Sequence, residues 1–422
     1  MIVVRGGGLL QGTIAVGGAK NSVLKLMAAS IMAPGVSSIS NTPMISDVKL
    51  MGEVLSRLGA LVGFSDHQVT IDTRTIDSVE TPYELVAKMR ASIAVLGPLV
   101  ARFGEARVAM PGGCQIGSRK LDIHIVGLEK LGVRFDISHG VINASAPDGL
   151  HGTHVLLEFP SVGATENLMM AAALAQGITV IDNAAREPEI VDLADFLARM
   201  GAQINGQGSP TIEIIGVREL RPVVDYRTIG DRIEAGTFLV AGVLGGGPLT
   251  VTNINPSYLE LALAKLRAMG SIIETDVDSI TISHVGPLKP VDIQTLPHPG
   301  FPTDLQAQFM VLDAIAEGNS VITENVFENR FMFADEISRM GAEIRIEGHH
   351  ALITGVKQLS GAPVQAPDLR GGAALVLAGL IADGQTIVDG IEHIDRGYED
   401  FVEKLRSVGA DIKRQALGSG MR

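Results

Sequence analysis

Leu197-Ala198-Arg199-Met200-Gly201-Ala202 reads as the end of a helix. Apolar residues at helical spacing lead to a glycine that can take the left-handed conformation, and the chain then turns extended. The same pattern stands at 55–60, 128–133, 266–271, 337–342 and 405–410. The six glycines are about 70 residues apart, wider than the roughly 20–50 of solenoid repeats, so each copy is a larger mixed unit. A second mark, glycine then a β-rich run then a turn, precedes several copies, at 177–183, 318–323, 384–389 and more weakly 35–41. Period-2 runs at 69–73, 279–283 and 351–354 supply further strands. The run 165–175 is apolar almost all round and belongs to a buried helix.

Each repeat therefore reads helix–strand–helix–strand–strand in some circular permutation, an α/β (α+β) pattern. Six repeats divide into three plus three, with the break near 221–230, where Pro222, Asp225 and Gly230 interrupt the periodicity. The segment 12–16 is expected to pair with the last repeats, because the chain otherwise ends in mid-repeat. That gives two links between two domains, and a cleft between domains is the expected place for a ligand.

Composition narrows the function. Hydrophobic residues make up 46% of the 422, yet only 4% are aromatic and none is tryptophan, so the cores must be Leu, Val, Ile, Ala and Met. The net charge of −13 argues against a nucleic-acid or anionic-membrane surface. Small anionic substrates stay open, since local cations and helix N-termini can hold them whatever the overall sign. Apolar runs such as 237–251 are broken by glycine and proline and are too short to span a bilayer. Met1-Ile2-Val3-Val4-Arg5 lacks the pattern of a signal peptide. With a single cysteine, which fits a reducing compartment, the reading is a soluble cytoplasmic protein. No Walker A run, dinucleotide fingerprint or zinc-ligand spacing is present, and Gly6-Gly7-Gly8 lacks a preceding strand of useful length.

Against this background a few residues stand out. Cys114 sits in Pro111-Gly112-Gly113-Cys114-Gln115-Ile116-Gly117-Ser118-Arg119, beside Lys120. Nearby cations favour thiolate and glycines allow movement, so the thiol is either reactive on a mobile loop or an accident of sequence. Lys20, where a strand hands over to a helix expected at 22–30, opposes the positive helix N-terminus; a bound anion would relieve the conflict, and a solvated lysine is the plainer reading. Arg90 precedes an apolar stretch and needs a carboxylate or phosphate partner. Ser161-Val162-Gly163 is an N-cap or a phosphate turn. Asp304, after Phe301-Pro302-Thr303, is a helix cap or a general base. Glu328 with Arg330, Asp368 with Arg370 and Asp395 with Arg396 each set an arginine near an acid; three such pairs in one half point to a shared anion site.

Taken together, Gly18-Ala19-Lys20-Asn21, Met89-Arg90-Ala91-Ser92, the cysteine loop, Ser161–Thr165, Phe301–Asp304, Glu328-Asn329-Arg330 and Asp395–Glu399 give a chain that resembles the enolpyruvyl transferase family over essentially its whole length. The cysteine loop sets it apart from the shikimate-pathway branch. The resemblance implies a two-domain inside-out α/β barrel of six βαβαββ repeats, three per domain, with domains at 20–228 and at 1–19 plus 229–422 and the active site in the cleft. It implies transfer of the enolpyruvyl group of phosphoenolpyruvate to the 3′-hydroxyl of UDP-N-acetylglucosamine with release of phosphate. This is the committed first step of bacterial peptidoglycan synthesis, and it runs by addition and elimination through a tetrahedral phospholactoyl ketal. By the same resemblance Cys114 protonates the methylene carbon and Asp304 takes the hydroxyl proton. Lys20, Asn21, Arg119, Arg370 and Arg396 hold phosphoenolpyruvate. Arg90, Arg119, Lys120, Leu121, Asp122, Ile123, Ser161, Val162, Gly163, Asp304 and Val326 contact the nucleotide sugar. No metal or organic cofactor is implied, and no protein partner.

Three positions depart from the family pattern. Lys120 stands where proline is usual, Phe159-Pro160 replaces a lysine-containing pair known in some members, and Phe333 replaces a common histidine. They bear on nucleotide contacts and leave the acid and base intact. Cys114 carries a tension of its own, since cations favour thiolate while a proton donor must start as thiol. Two other readings stay open: the same fold acting on a different acceptor alcohol, and a catalytically silent binder of the nucleotide sugar.

Overall fold

The computed structural model describes residues 1–110 and 121–415. They form two compact units, the first of residues 18–110 and 121–229, the second of residues 1–17 and 230–415. Among the described residues the chain passes between units twice, at 17–18 and at 229–230.

The repeat is visible in the backbone. All six pattern glycines have positive φ, from 96° at Gly341 to 112° at Gly409. They follow the helices Ser46–Arg57, Asp122–Lys130, Pro188–Met200, Glu260–Ala268, Ala334–Arg339 and Phe401–Ser407. Each repeat carries one small sheet. In the third, Ile178–Asp182 pairs antiparallel with Thr211–Ile215 and parallel with His154–Leu156, and Gln203–Asn205 closes the edge. The alternation predicted for such strands holds, as Ile212 and Ile214 point inward and their neighbours face out. Five sheets have four strands; the second has three, and a parallel bridge from Glu80 to Arg107 marks its fourth place.

Each unit also holds three helices apolar around most of their circumference. These are Lys20–Ala29, Leu96–Phe103 and Val162–Ala173 in the first, and Arg232–Gly245, Gln306–Asp313 and Leu369–Gly379 in the second. Every residue from Ala164 to Ala173 is buried. Ringed by other elements, such a helix has no polar face to show, which explains its sequence. Two begin earlier than spacing predicts, at Lys20 rather than 22 and at Val162 rather than 165. The first is helped by an acid that offsets the lysine, the second by a serine cap.

The N-terminal segment corrects the sequence reading. Gly12–Ala15 runs parallel to Leu249–Thr252, in the first repeat of the second unit, not the last. The strand that completes the last repeat is Ile2–Arg5, lying between Gln385–Asp389 and Asp411–Arg414. It looked too short ahead of the three glycines, yet Ile2, Val3 and Val4 are all buried, as expected of a strand paired on both edges. At the other crossing Tyr226–Arg227 returns to pair with Val36–Ser40 of the first repeat.

The two crossings are built alike. A Cβ on Gly18 would lie 1.7 Å from the carbonyl oxygen of Asn41, and one on Gly230 would lie 1.7 Å from that of Asn253. Only glycine fits such an approach. Asn41 and Asn253 both have positive φ, and their Nδ2 groups donate to the carbonyls of Thr228 (2.9 Å) and Val16 (2.7 Å).

Candidate active site

In the first unit the expected binding residues stand on helix starts. Ala19 precedes Lys20–Ala29 and offers no side-chain cap. Lys20, the first helical residue, is 8% exposed, and its Nζ lies 2.7 Å from Asp47 Oδ2, itself buried on the helix Ser46–Arg57. This corrects the solvated-lysine reading. Asn21 beside it is half-buried. One turn further, Lys25 Nζ pairs with Glu166 Oε2 at 2.8 Å. Burial pushes the Glu166 carboxyl up to about 7, and Lys25 only partly opposes it.

Arg90 opens a short 3-10 helix, Arg90–Val95, and is half-buried. Leu121 precedes the helix Asp122–Lys130, with Asp122 exposed and Ile123 half-buried. Ser161 caps Val162–Ala173, its Oγ accepting from Ala164 N–H at 3.4 Å. One residue that the sequence reading missed joins these three segments. Asn167 Oδ1 accepts from Gly97 N–H at 2.8 Å, while its Nδ2 lies 3.3 Å from Ile93 O, 3.1 Å from His124 Nδ1 and 3.4 Å from Gly163 O. With Nδ1 facing an amide donor, neutral His124 carries its proton on Nε2. Burial lowers the His124 pKa to about 4, helped by the charges of Arg90 and Lys25. Nε2 faces the Ser161 turn, for a Cβ on Gly163 would come within 3.3 Å of it. Asn167 sits on an otherwise apolar run, and a buried amide there was the signal that could have found it.

In the second unit the acids and arginines pair otherwise than sequence proximity implied. Asp304, in the 3-10 turn Thr303–Leu305, caps no helix. Its Oδ1 accepts from Arg330 Nη2 at 2.9 Å and its Oδ2 from Arg370 Nε at 3.2 Å. Two of the acids that stand beside arginines in sequence have other partners. Asp368 caps its own helix, accepting from the N–H groups of Arg370 (2.8 Å) and Gly371 (3.0 Å). Asp395 takes Arg414, with Nη1 at 3.0 Å from Oδ2. Arg396, in the 3-10 turn Ile394–Arg396, is half-buried.

Arg330 and Arg370 are 4% and 3% exposed, and among the described residues the Nη1 of each is buried without a hydrogen-bond partner. Buried guanidinium nitrogens in that state are ready donors for an anion. Val326 is fixed from below by Glu324, which sequence reading did not single out. Glu324 Oε1 accepts from the N–H groups of Val326 (2.8 Å) and Phe327 (3.0 Å), and its Oε2 from Thr303 Oγ1 at 2.9 Å. One buried acid thus ties the Asp304 turn to the Val326 turn.

Of the departures, Phe159 is exposed and Phe333 is buried in the second unit's core. Cys114, Arg119 and Lys120 lie outside the described residues. Among the described residues no three His, Cys, Asp or Glu side chains gather as a metal site, and no helix is long and apolar enough to cross a membrane.

Comparison with known proteins gives a consistent picture. The family described as EPSP synthase (3-phosphoshikimate 1-carboxyvinyltransferase) matches residues 4–405. A protein of Carboxydothermus hydrogenoformans named UDP-N-acetylglucosamine 1-carboxyvinyltransferase 2 is 53% identical over 414 residues, 98% of either chain. One of Mycobacterium leprae named UDP-N-acetylglucosamine 1-carboxyvinyltransferase is 52% identical over 98% of this chain and 99% of its own. Among solved structures, the enolpyruvyl transferase NikO from Streptomyces tendae superposes with a TM-score of 0.87 at 29% identity, covering 98% of both chains. EPSP synthase from Acinetobacter baumannii shares the fold, with a TM-score of 0.77 at 18% identity over 98% of this chain and 99% of its own.

Proposed function

This chain belongs to the EPSP synthase family of enolpyruvyl transferases, and from that membership we propose that it transfers the enolpyruvyl group of phosphoenolpyruvate to the 3′-hydroxyl of UDP-N-acetylglucosamine, releasing phosphate. The reaction is the committed first step of peptidoglycan synthesis and takes place in the cytoplasm. The names of the half-identical relatives support the acceptor. The observation that carries the chemistry is the Asp304 carboxylate held by Arg330 and Arg370, each keeping an Nη1 buried without a hydrogen-bond partner among the described residues.

The steps follow from what the reaction must move. Asp304 takes the proton of the acceptor hydroxyl as its oxygen attacks C2 of phosphoenolpyruvate, and Cys114 delivers a proton to C3, giving a tetrahedral phospholactoyl ketal. Loss of a C3 proton and departure of phosphate then regenerate the enol ether. Lys20, Asn21, Arg119, Arg370 and Arg396 hold the donor's phosphate and carboxylate and offset the charge that gathers as phosphate leaves. The helix start at Lys20 has no side-chain cap, and the positive end of a helix suits an anion. Arg90, Arg119, Lys120, Leu121, Asp122, Ile123, Ser161, Val162, Gly163, Asp304 and Val326 bind the nucleotide sugar, with the capping turn at Ser161 on its diphosphate. Residues from both units serve one reaction. In this reading the six sheets and six buried helices make up the inside-out α/β barrel of six βαβαββ repeats, with domains at 20–228 and 1–19 plus 229–422 and the active site in the cleft.

Phosphate release from the two substrates tests the proposal. Cys114→Ser is expected to lose nearly all turnover, and turnover like that of the parent chain would remove the acid role. Asp304→Ala should keep nucleotide-sugar binding by calorimetry while losing at least about 100-fold in rate, the low end for general acid–base catalysis.

A further inference from the structure

Arg370 is held from behind by a buried hydroxyl relay. Its guanidinium lies against Tyr398, with Cζ 5.2 Å from the ring centroid. The Tyr398 hydroxyl lies 2.8 Å from Thr237 Oγ1, and Thr237 Oγ1 lies 2.9 Å from the Ile233 carbonyl. Gln308 Nε2 reaches both hydroxyls, at 3.1 Å from Thr237 and 3.4 Å from Tyr398. Thr237, Gln308 and Tyr398 are all buried, and they come from the helices Arg232–Gly245 and Gln306–Asp313 and from the segment after Ile394–Arg396.

The donors and acceptors in this group allow one consistent order. The Ile233 carbonyl can only accept, so Thr237 donates to it. Thr237 Oγ1 then accepts from Tyr398, which ties down the ring that the Arg370 guanidinium faces. A guanidinium has no acceptor, so each of its N–H groups must find one or lie idle. Nε is taken by Asp304, and among the described residues Nη1 is buried without a partner, which leaves it for a ligand.

We propose that Tyr398, backed by Thr237 and Gln308, is a positioning device for phosphoenolpyruvate: it fixes Arg370 so that its remaining N–H groups meet the donor's anionic groups. The inference rests on the functional reading above and adds to it three residues that never touch substrate. Burial works against the charge on Arg370, but the nearby acids Asp304 and Asp231 favour it, so the cation is kept. Burial likewise raises the Tyr398 pKa, so the phenol stays protonated and able to donate to Thr237.

The test is steady-state kinetics of the full chain carrying Tyr398→Phe, Thr237→Val or Thr237→Ser. Tyr398→Phe keeps the ring and removes the hydroxyl that ties it to Thr237 and Gln308. KM for phosphoenolpyruvate should rise about threefold to tenfold, the effect of losing a buried hydrogen bond, while KM for UDP-N-acetylglucosamine moves less than about twofold. Thr237→Val should act in the same direction and Thr237→Ser should restore the parent values. A structural role alone would lower the melting temperature without dividing the two constants. Equal shifts in both constants, or none, overturn the proposal. If Tyr398→Phe does not fold, the Thr237 pair decides it, and a serine variant no better than valine counts against the relay. Failure of the functional reading looks different, because the unsubstituted chain would then release no phosphate.

Discussion

The two units repeat one architecture and differ in how they hold the cations expected at the site, although each also carries a lysine paired with a buried glutamate, Lys25 with Glu166 and Lys404 with Glu234. In the first, Lys20 pairs with Asp47. In the second, two arginines converge on Asp304 and keep buried nitrogens in reserve. The helix starts differ as well. Arg232–Gly245 is capped by Asp231, whose Oδ1 accepts from Ile233 and Glu234, while Lys20–Ala29 has Ala19 in the corresponding place. Backbone geometry is copied across the units; the charge at Lys20 and Asp304 and the capping of these two helix starts are not. Duplication preserves what every repeat needs to fold, and the departures collect where chemistry is proposed.

The crossings offer the severest test of that likeness. Gly18→Ala and Gly230→Ala each drive a methyl into a carbonyl oxygen, so each should cost more than about 4 kcal/mol or leave no folded protein, read by urea unfolding. A large loss at one and none at the other would break the equivalence of the two joints.

A middle-sized effect separates the buried acids. Burial raises Glu166 in the first unit and Asp313 in the second to about 7. Each is protonated in the fold over a range where the unfolded chain is ionised. Its contribution is therefore full below about pH 4 and is lost as pH rises towards 7, by up to about 3–4 kcal/mol each. Glu166→Gln and Asp313→Asn should each flatten this part of the stability curve, measured by denaturation from pH 4 to 8. Lys25→Met should steepen it through Glu166 alone, since only that acid has the lysine beside it. His124 runs the other way: neutral in the fold, it weakens stability as pH falls from 6.5 through about 4.

The smallest effect belongs to the caps. Ser161→Ala and Asp231→Ala should each lose about 1 kcal/mol in the same unfolding assay. Ser161→Ala alone should also weaken nucleotide-sugar binding, so a matching loss of binding in Asp231→Ala would blur the contrast between units.

Much of the fold was legible because it is local and repeated. A glycine at the same place in six copies marks six helix ends, and period-2 runs mark the strands beside them. The strand Ile2–Arg5 escaped because four residues carry little periodic signal, and only its burial between two partners reveals it. At the site, Lys20, Arg370 and Asp304 were found as residue types out of place. Their partners were not, and neither were Asn167, Glu324 and Tyr398, which act through buried hydrogen bonds rather than through any motif.

From the chain alone came the six-fold repeat, the break near residue 230 and the residues whose character does not suit their position. Those follow from backbone preference and side-chain periodicity, which act over a few residues. The tertiary structure decided which charges meet: Asp304 finds arginines 26 and 66 residues away, while Asp368, two residues from Arg370, turns to a helix cap and Asp395, beside Arg396, takes Arg414. A buried ion pair is chosen by packing and by the cost of leaving any of its members unpartnered, and that cost exists only once the whole unit has closed around them.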